Sequence, residues 1–141
     1  MGLDEAVSGL VAGIGFRRAT ESDEIVALIR LALNRVGAGP DRLRALATAS
    51  DRAEDEALRR AAEAFGVGVI GIAESELMAV DARVPSRSAR IEASRGVGSL
   101  SEAAALAAVG EGGQLALARI ASAGATCALA LLPVCGQSPP S

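Results

Sequence analysis

Histidine, lysine, tryptophan and tyrosine are all absent from this chain of 141 residues. Without histidine there is no imidazole base, no Ser–His or Cys–His relay, and no histidine metal ligand. Phe16 and Phe65 are the only aromatic residues, which argues against stacking on bare nucleobases. A net charge of −3 gives none of the basic footprint of a nucleic-acid binder. The two cysteines, Cys127 and Cys135, lie along an expected strand and its exit. An extended chain holds them beyond disulfide reach, so they read as free thiols of a reducing cytoplasm. Acidic Asp4 and Glu5 stand where a secretory signal would be basic. The longest apolar run, Ala125 to Val134, is too short to span a bilayer. These features point to a cytoplasmic protein that acts neither on nucleic acid nor at a membrane.

What is present is half apolar, enough for one packed domain over residues 1–135, with a polar tail at 136–141 expected to be mobile. Alanine dominates that apolar half, so elements must pack closely. Val11 to Phe16 reads as a buried strand. Thr20 reads as the N-cap of a helix, with Asp23 completing an approximate capping box. Ile25, Leu28, Ile29, Ala32, Leu33 and Val36 then form one helical stripe, stopped by Gly37, Gly39 and Pro40. Leu43 to Ala49 is a second strand. Ser50 and Asp51 are expected to cap the helix bearing Ala57, Leu58, Ala61, Ala62 and Phe65. Val67 to Ile72 is a third strand and Glu74 to Val80 a short helix. Residues 81–95 read as irregular. Ser99 and Glu102 form a capping box for an alanine-rich helix ending near Gly110. Gln114 to Arg119 and Thr126 to Leu132 are strands around a Ser122-Ala123-Gly124 turn. The order predicts a three-layer α/β/α domain, with a mixed, mostly parallel sheet of about five strands ending in an antiparallel hairpin.

In such sheets ligands bind outside the carboxyl ends of the strands. The first strand delivers Arg17, Arg18 and Thr20 there; the second delivers Ser50, Asp51 and Arg52; the third delivers Glu74 and Ser75. All fourteen basic residues are arginine, whose planar fork suits carboxylate and phosphate. GC-rich coding produces the same bias, so the positions of the arginines carry the reading. Gly13 and Gly15 allow close packing of the first strand. They do not make a dinucleotide fingerprint, because Arg18 occupies the third glycine position. Arg95, Gly96, Gly98, Ser99 and Ser101 form a second glycine-rich entry to a helix. It reads first as a tight capped turn and, alternatively, as an anion cradle, a reading that Arg95 just before the turn favours. Asp51 and Glu74 are the candidate acid–base groups, though both also fit helix-terminal positions. No serine lies in a nucleophile elbow, and no cluster has metal-ligand spacing, so no cofactor or metal is expected.

Gly13-Ile14-Gly15-Phe16-Arg17-Arg18, the Ser50-Asp51 loop, Ser75-Glu76-Leu77, and Gly96-Val97-Gly98-Ser99-Leu100-Ser101-Glu102-Ala103-Ala104-Ala105 occur in that order. Over about residues 10 to 132 the chain resembles the cobalamin-biosynthesis family shared by the C-terminal domain of CbiG and the stand-alone CobE. The resemblance implies a role in building the corrin ring, with chain size closer to the stand-alone form. Phe16 stands where the family often has a small residue, Ala19 where it often has Gly, and Arg119 near a frequent Lys. Corrin precursors are flat, apolar macrocycles fringed with carboxylates. The resemblance and the arginine-bearing strand ends together imply an accessory factor or carrier for a polycarboxylate corrin or precorrin. The alternatives are a hydrolase acting on such an intermediate through Asp51 or Glu74, and a structural subunit that contacts a pathway enzyme.

Overall fold

Strand β1 (Leu10–Phe16) is buried along its whole length, and its alternation defines two layers. Leu10, Ala12, Ile14 and Phe16 face one helical layer, while Val11 faces the other. The computed structural model describes residues 9–86 and 98–133. The polar tail, Cys135, Arg95 and Gly96 lie outside the described residues.

Helix α1 (Ser22–Arg35) buries the expected stripe of Ile25, Leu28, Ile29, Ala32 and Leu33, and Gly37 follows it at φ 70°. After β2 (Leu43–Ala49), helix α2 (Glu56–Phe65) buries Leu58, Ala61 and Ala62 in the same layer. Gly66 ends α2 in the left-handed region, which glycine adopts without a Cβ penalty. Next come β3 (Gly68–Ile72), the six-residue α3 (Glu74–Ala79), α4 (Leu100–Val109), β4 (Gln114–Ala121) and β5 (Ala125–Leu131). The sheet order is β3-β2-β1-β5-β4. β1 pairs in parallel with β2, and β2 with β3; β5 runs antiparallel to both β1 and β4. The fold is therefore α/β with a mixed five-stranded sheet between helices, as the element order predicts.

Helix α4 is buried almost all round, and alanine and glycine make that possible. A Cβ on Gly13 would lie 1.9 Å from the Ser101 carbonyl oxygen and 2.7 Å from the Ala105 nitrogen. Only a glycine lets the backbone of α4 rest on β1. One on Gly15 would lie 2.8 Å from Thr126 Oγ1, with Leu100 beyond. Residues 105 to 100 thus run alongside residues 13 to 15, which brings the N-terminus of α4 over the carboxyl end of β1.

Two expected caps are corrected. Glu21, not Thr20, is the N-cap of α1, and it makes no side-chain capping bond. The Thr20 hydroxyl is drawn instead to the Gly124 carbonyl, 104 residues away. Nor do Ser50 and Asp51 cap α2: Ser50–Arg52 forms a separate 3-10 turn, and the helix begins at Glu56 behind Asp55. The displacement follows from Arg52, whose guanidinium is held between Phe16 and Asp55.

Candidate functional site

The carboxyl edge of the sheet gathers most of the sequence-derived residues. Arg17 and Arg18 leave β1 there, both exposed. Among the described residues neither guanidinium has a hydrogen-bond, ion-pair or ring partner. Their loop is nevertheless fixed at its backbone. The Arg17 N–H donates to the Gly124 carbonyl at 2.9 Å, and the Thr20 hydroxyl donates to the same oxygen at 2.8 Å. Glu24 completes the tie by accepting the Gly124 N–H at 2.7 Å and the Ser122 hydroxyl. The Ser122 hydroxyl, with the Gly124 N–H second, holds the Glu24 carboxyl below its ordinary value. Two exposed cationic side chains are thereby mounted on a backbone clamped to the β4–β5 turn.

Arg52 has a different role. Its Nη1 donates to the Phe16 carbonyl at 2.9 Å, its Nη2 meets Asp55 Oδ2 at 3.2 Å, and its guanidinium carbon lies 4.1 Å from the Phe16 ring centroid. A cation over an aromatic face with two further partners is a structural strut between the ends of β1 and α2. Phe16 supplies the ring. Ser50 and Asp51 lie exposed beside this strut, and Glu74 is exposed at the start of α3.

The glycine–serine element is more deeply placed than a surface cradle. Ser99 and Ser101 are fully buried. Ser99 is the N-cap of α4, its Oγ accepting the Glu102 N–H at 3.5 Å, and the two serine hydroxyls are 3.5 Å apart. Gly98 donates its N–H to Asp81 Oδ1 at 2.8 Å. Among the described residues the entry of α4 is thus a capped turn, tied to Asp81 through Gly98.

The half of the capping box assigned to Glu102 is not a simple cap. Its side chain is 0 % exposed. Oε1 accepts the Ser86 N–H at 2.9 Å; Oε2 accepts the Ser86 hydroxyl at 2.8 Å and the Arg119 backbone N–H at 2.8 Å. Sequence reasoning missed this use, since both partners lie 16 or 17 residues away. The available signal was a glutamate as the one charged residue in the helix Leu100–Val109, whose other residues are alanine, leucine, valine and Ser101. Among the described residues no group of three or more carboxylates or thiols lies together as a metal site. No helix among them is long and apolar enough to cross a membrane.

With this geometry in place, the relatives are informative. Residues 10–130 match the family model described as cobalamin synthesis G C-terminus. Protein CobE from a Sinorhizobium species is 36% identical over 126 residues, covering 89% of this chain and 82% of that protein. The crystal structure of a CobE from the cobalamin biosynthetic pathway superposes with a TM-score of 0.83 at 33% identity, over 89% of this chain and 92% of that one. Cobalamin biosynthesis protein chiG from Agrobacterium tumefaciens gives a TM-score of 0.70 at 32% identity, over 87% and 98%. A cobalamin biosynthesis protein G homolog from Sulfolobus solfataricus gives 0.66 at 26%, over 88% of this chain but 37% of that longer one. A family match spanning nearly all the described residues, with relatives and solved structures above 30% identity, places this chain in the C-terminal family of cobalamin biosynthesis protein G, alongside CobE.

Proposed function

We propose that the protein binds a polycarboxylate corrin or precorrin intermediate in the cytoplasm, as an accessory factor or carrier in cobalamin biosynthesis. The observation that carries this reading is the pair Arg17 and Arg18. Two exposed guanidinium groups, without partners among the described residues, stand on a backbone fixed by four hydrogen bonds around Gly124 and Glu24, at the sheet edge where α/β domains bind ligands. An unpaired arginine fork is complementary to a peripheral carboxylate, and a ready-ordered backbone lowers the entropic cost of binding. The alternative, a hydrolase using Asp51 or Glu74, draws less support. Both carboxylates are exposed, whereas acid–base groups of a catalytic site are commonly held in a desolvating cleft.

Calorimetry with corrins bearing free carboxylates tests the proposal. Arg17→Ala and Arg18→Ala should both fold like the parent, and at least one should weaken binding by about 1.5–3 kcal/mol, the range for a charge-assisted hydrogen bond. Parental affinity in both variants would remove the first strand end from the site.

A further inference from the structure

We infer that Arg119 is a third anion-recognition residue of this site, set in place by the buried carboxylate of Glu102; this rests on the proposed corrin-polycarboxylate reading. β4 carries two one-residue irregularities against β5, one of them between Leu117 and Ile120. An extra residue in one strand leaves its N–H without a ladder partner and re-aims its side chain. Here the freed N–H is that of Arg119, and Glu102 Oε2 takes it at 2.8 Å. The other contacts of Glu102 bind Ser86, where the chain begins its connection to α4. One side chain therefore ties three pieces together: the first turn of α4, the bulge on β4, and Ser86.

The placement is what gives this a ligand meaning. β4 runs in the same direction as β1, and Ile120 lies level with Ile14 across β5, so Arg119 stands beside the middle of β1, short of the carboxyl edge from which Arg17 and Arg18 leave. β5 alone separates β4 from β1, so the two arginine-bearing strands are roughly 10 Å apart. The N-terminus of α4 lies between them, over β1 and within hydrogen-bonding distance of β4. Arg119 is only partly buried, and among the described residues its guanidinium has no hydrogen-bond, ion-pair or ring partner. A flat ligand with carboxylates around its rim needs cationic donors on opposite sides rather than at one corner. Arg17 and Arg18 supply one side, and Arg119 supplies the other. Keeping a carboxylate fully buried is costly unless every acceptor is used. Its presence in a helix otherwise apolar but for Ser101 is explained by what it positions. Glu102 is thus a positioning residue and Arg119 the contact residue.

The experiment is a double-variant cycle read by titration with cobyrinic acid, a corrin whose rim carboxylates are free, and with its fully esterified form as control. Arg119→Ala should keep the parental melting temperature and weaken cobyrinic acid binding roughly tenfold or more, with no loss for the ester. Arg119→Lys should recover part of the loss. Glu102→Gln places an amide donor among three donors and should lower the melting temperature. Measured well below that transition, it should also weaken cobyrinic acid binding. If Glu102 acts through Arg119, the double variant binds no more weakly than Arg119→Ala alone. Additive losses overturn the positioning role. Parental binding of cobyrinic acid by Arg119→Ala overturns the assignment of Arg119 while leaving the corrin reading intact. Failure of the parent protein itself to bind overturns both.

Discussion

Replacing Gly13 with alanine adds one methyl group at the point where the fold has least room for it. The new Cβ would lie 1.9 Å from the Ser101 carbonyl oxygen and 2.7 Å from the Ala105 nitrogen. Both are backbone atoms of α4, so no side-chain rotation relieves the contact. Bringing the closer pair to an ordinary separation of about 3.4 Å means moving the first turns of the helix by about 1.5 Å from the sheet. That motion opens the layer formed by Ala103, Ala104, Ala105 and Leu106, and strains the Glu102 contacts to Ser86 and Arg119. Overpacking by one methylene typically costs 1–3 kcal/mol, and a rigid backbone clash belongs at or above the top of that range, about 3 kcal/mol. For a domain of this size the loss corresponds to a fall of roughly 10 °C in melting temperature. Gly15→Ala is the internal comparison. Its Cβ meets Thr126 Oγ1 at 2.8 Å, a side-chain atom that rotates away, so about 1 kcal/mol is expected. Urea unfolding of both variants provides the measurement. A Gly13→Ala protein within 1 kcal/mol of the parent, or no less stable than Gly15→Ala, would refute the claim that α4 sits directly on the β1 backbone.

Other expectations follow from single contacts. The buried Thr48 hydroxyl donates to the Ile14 carbonyl at 2.8 Å, joining β2 to β1, so Thr48→Val should cost about 1 kcal/mol in chemical denaturation. Glu24 binds protons less readily in the folded chain than in the unfolded one. Its contribution is therefore complete above the ordinary carboxylate range and lost as pH falls through the lowered native value. Glu24→Gln should flatten that part of the acid limb of a stability–pH curve; an unchanged limb would show that the β4–β5 turn is held by other means. Burial pushes the Cys127 thiol up to about 12, so a thiol reagent at neutral pH should label Cys127 only after unfolding, as peptide mapping would reveal.

The legible and illegible parts of this molecule divide by the range of the interaction. The stripe from Ile25 to Leu33, the glycine stops at Gly37 and Gly66, and the alternation along β1 are local signals, and each element forms where they place it. The glycine pair was readable as a close-packing device, although its partner, α4, lies some ninety residues on. Thr20 and Ser50 have the right chemistry for caps, yet long-range partners decide the outcome. Gly124 takes the Thr20 hydroxyl, and the Arg52–Phe16 stack keeps residues 50–52 out of α2. Glu102 is the sharpest case. Its spacing from Ser99 satisfies a capping box, and the Ser99 half forms, but the carboxylate answers to Ser86 and to a bulge in β4. A bulge leaves almost no trace in an alanine-rich strand such as Leu115 to Ala121, so neither it nor the use of Arg119 could be read from spacing. Ser99 and Ser101 were read as donors to a ligand or as parts of a turn; both prove fully buried, and Ser99 caps α4.

Size-exclusion chromatography of the protein with a panel of precorrins and corrins addresses the central claim most directly. The chain has no Trp or Tyr, so visible and near-ultraviolet absorbance in the protein peak reports bound pigment almost alone. The account predicts that a corrin or precorrin with free rim carboxylates co-elutes at low salt, and that the pigment is progressively lost as salt rises and screens the exposed arginines. Folded protein that elutes free of every pigment at low salt, or that retains pigment equally at high salt, would contradict it.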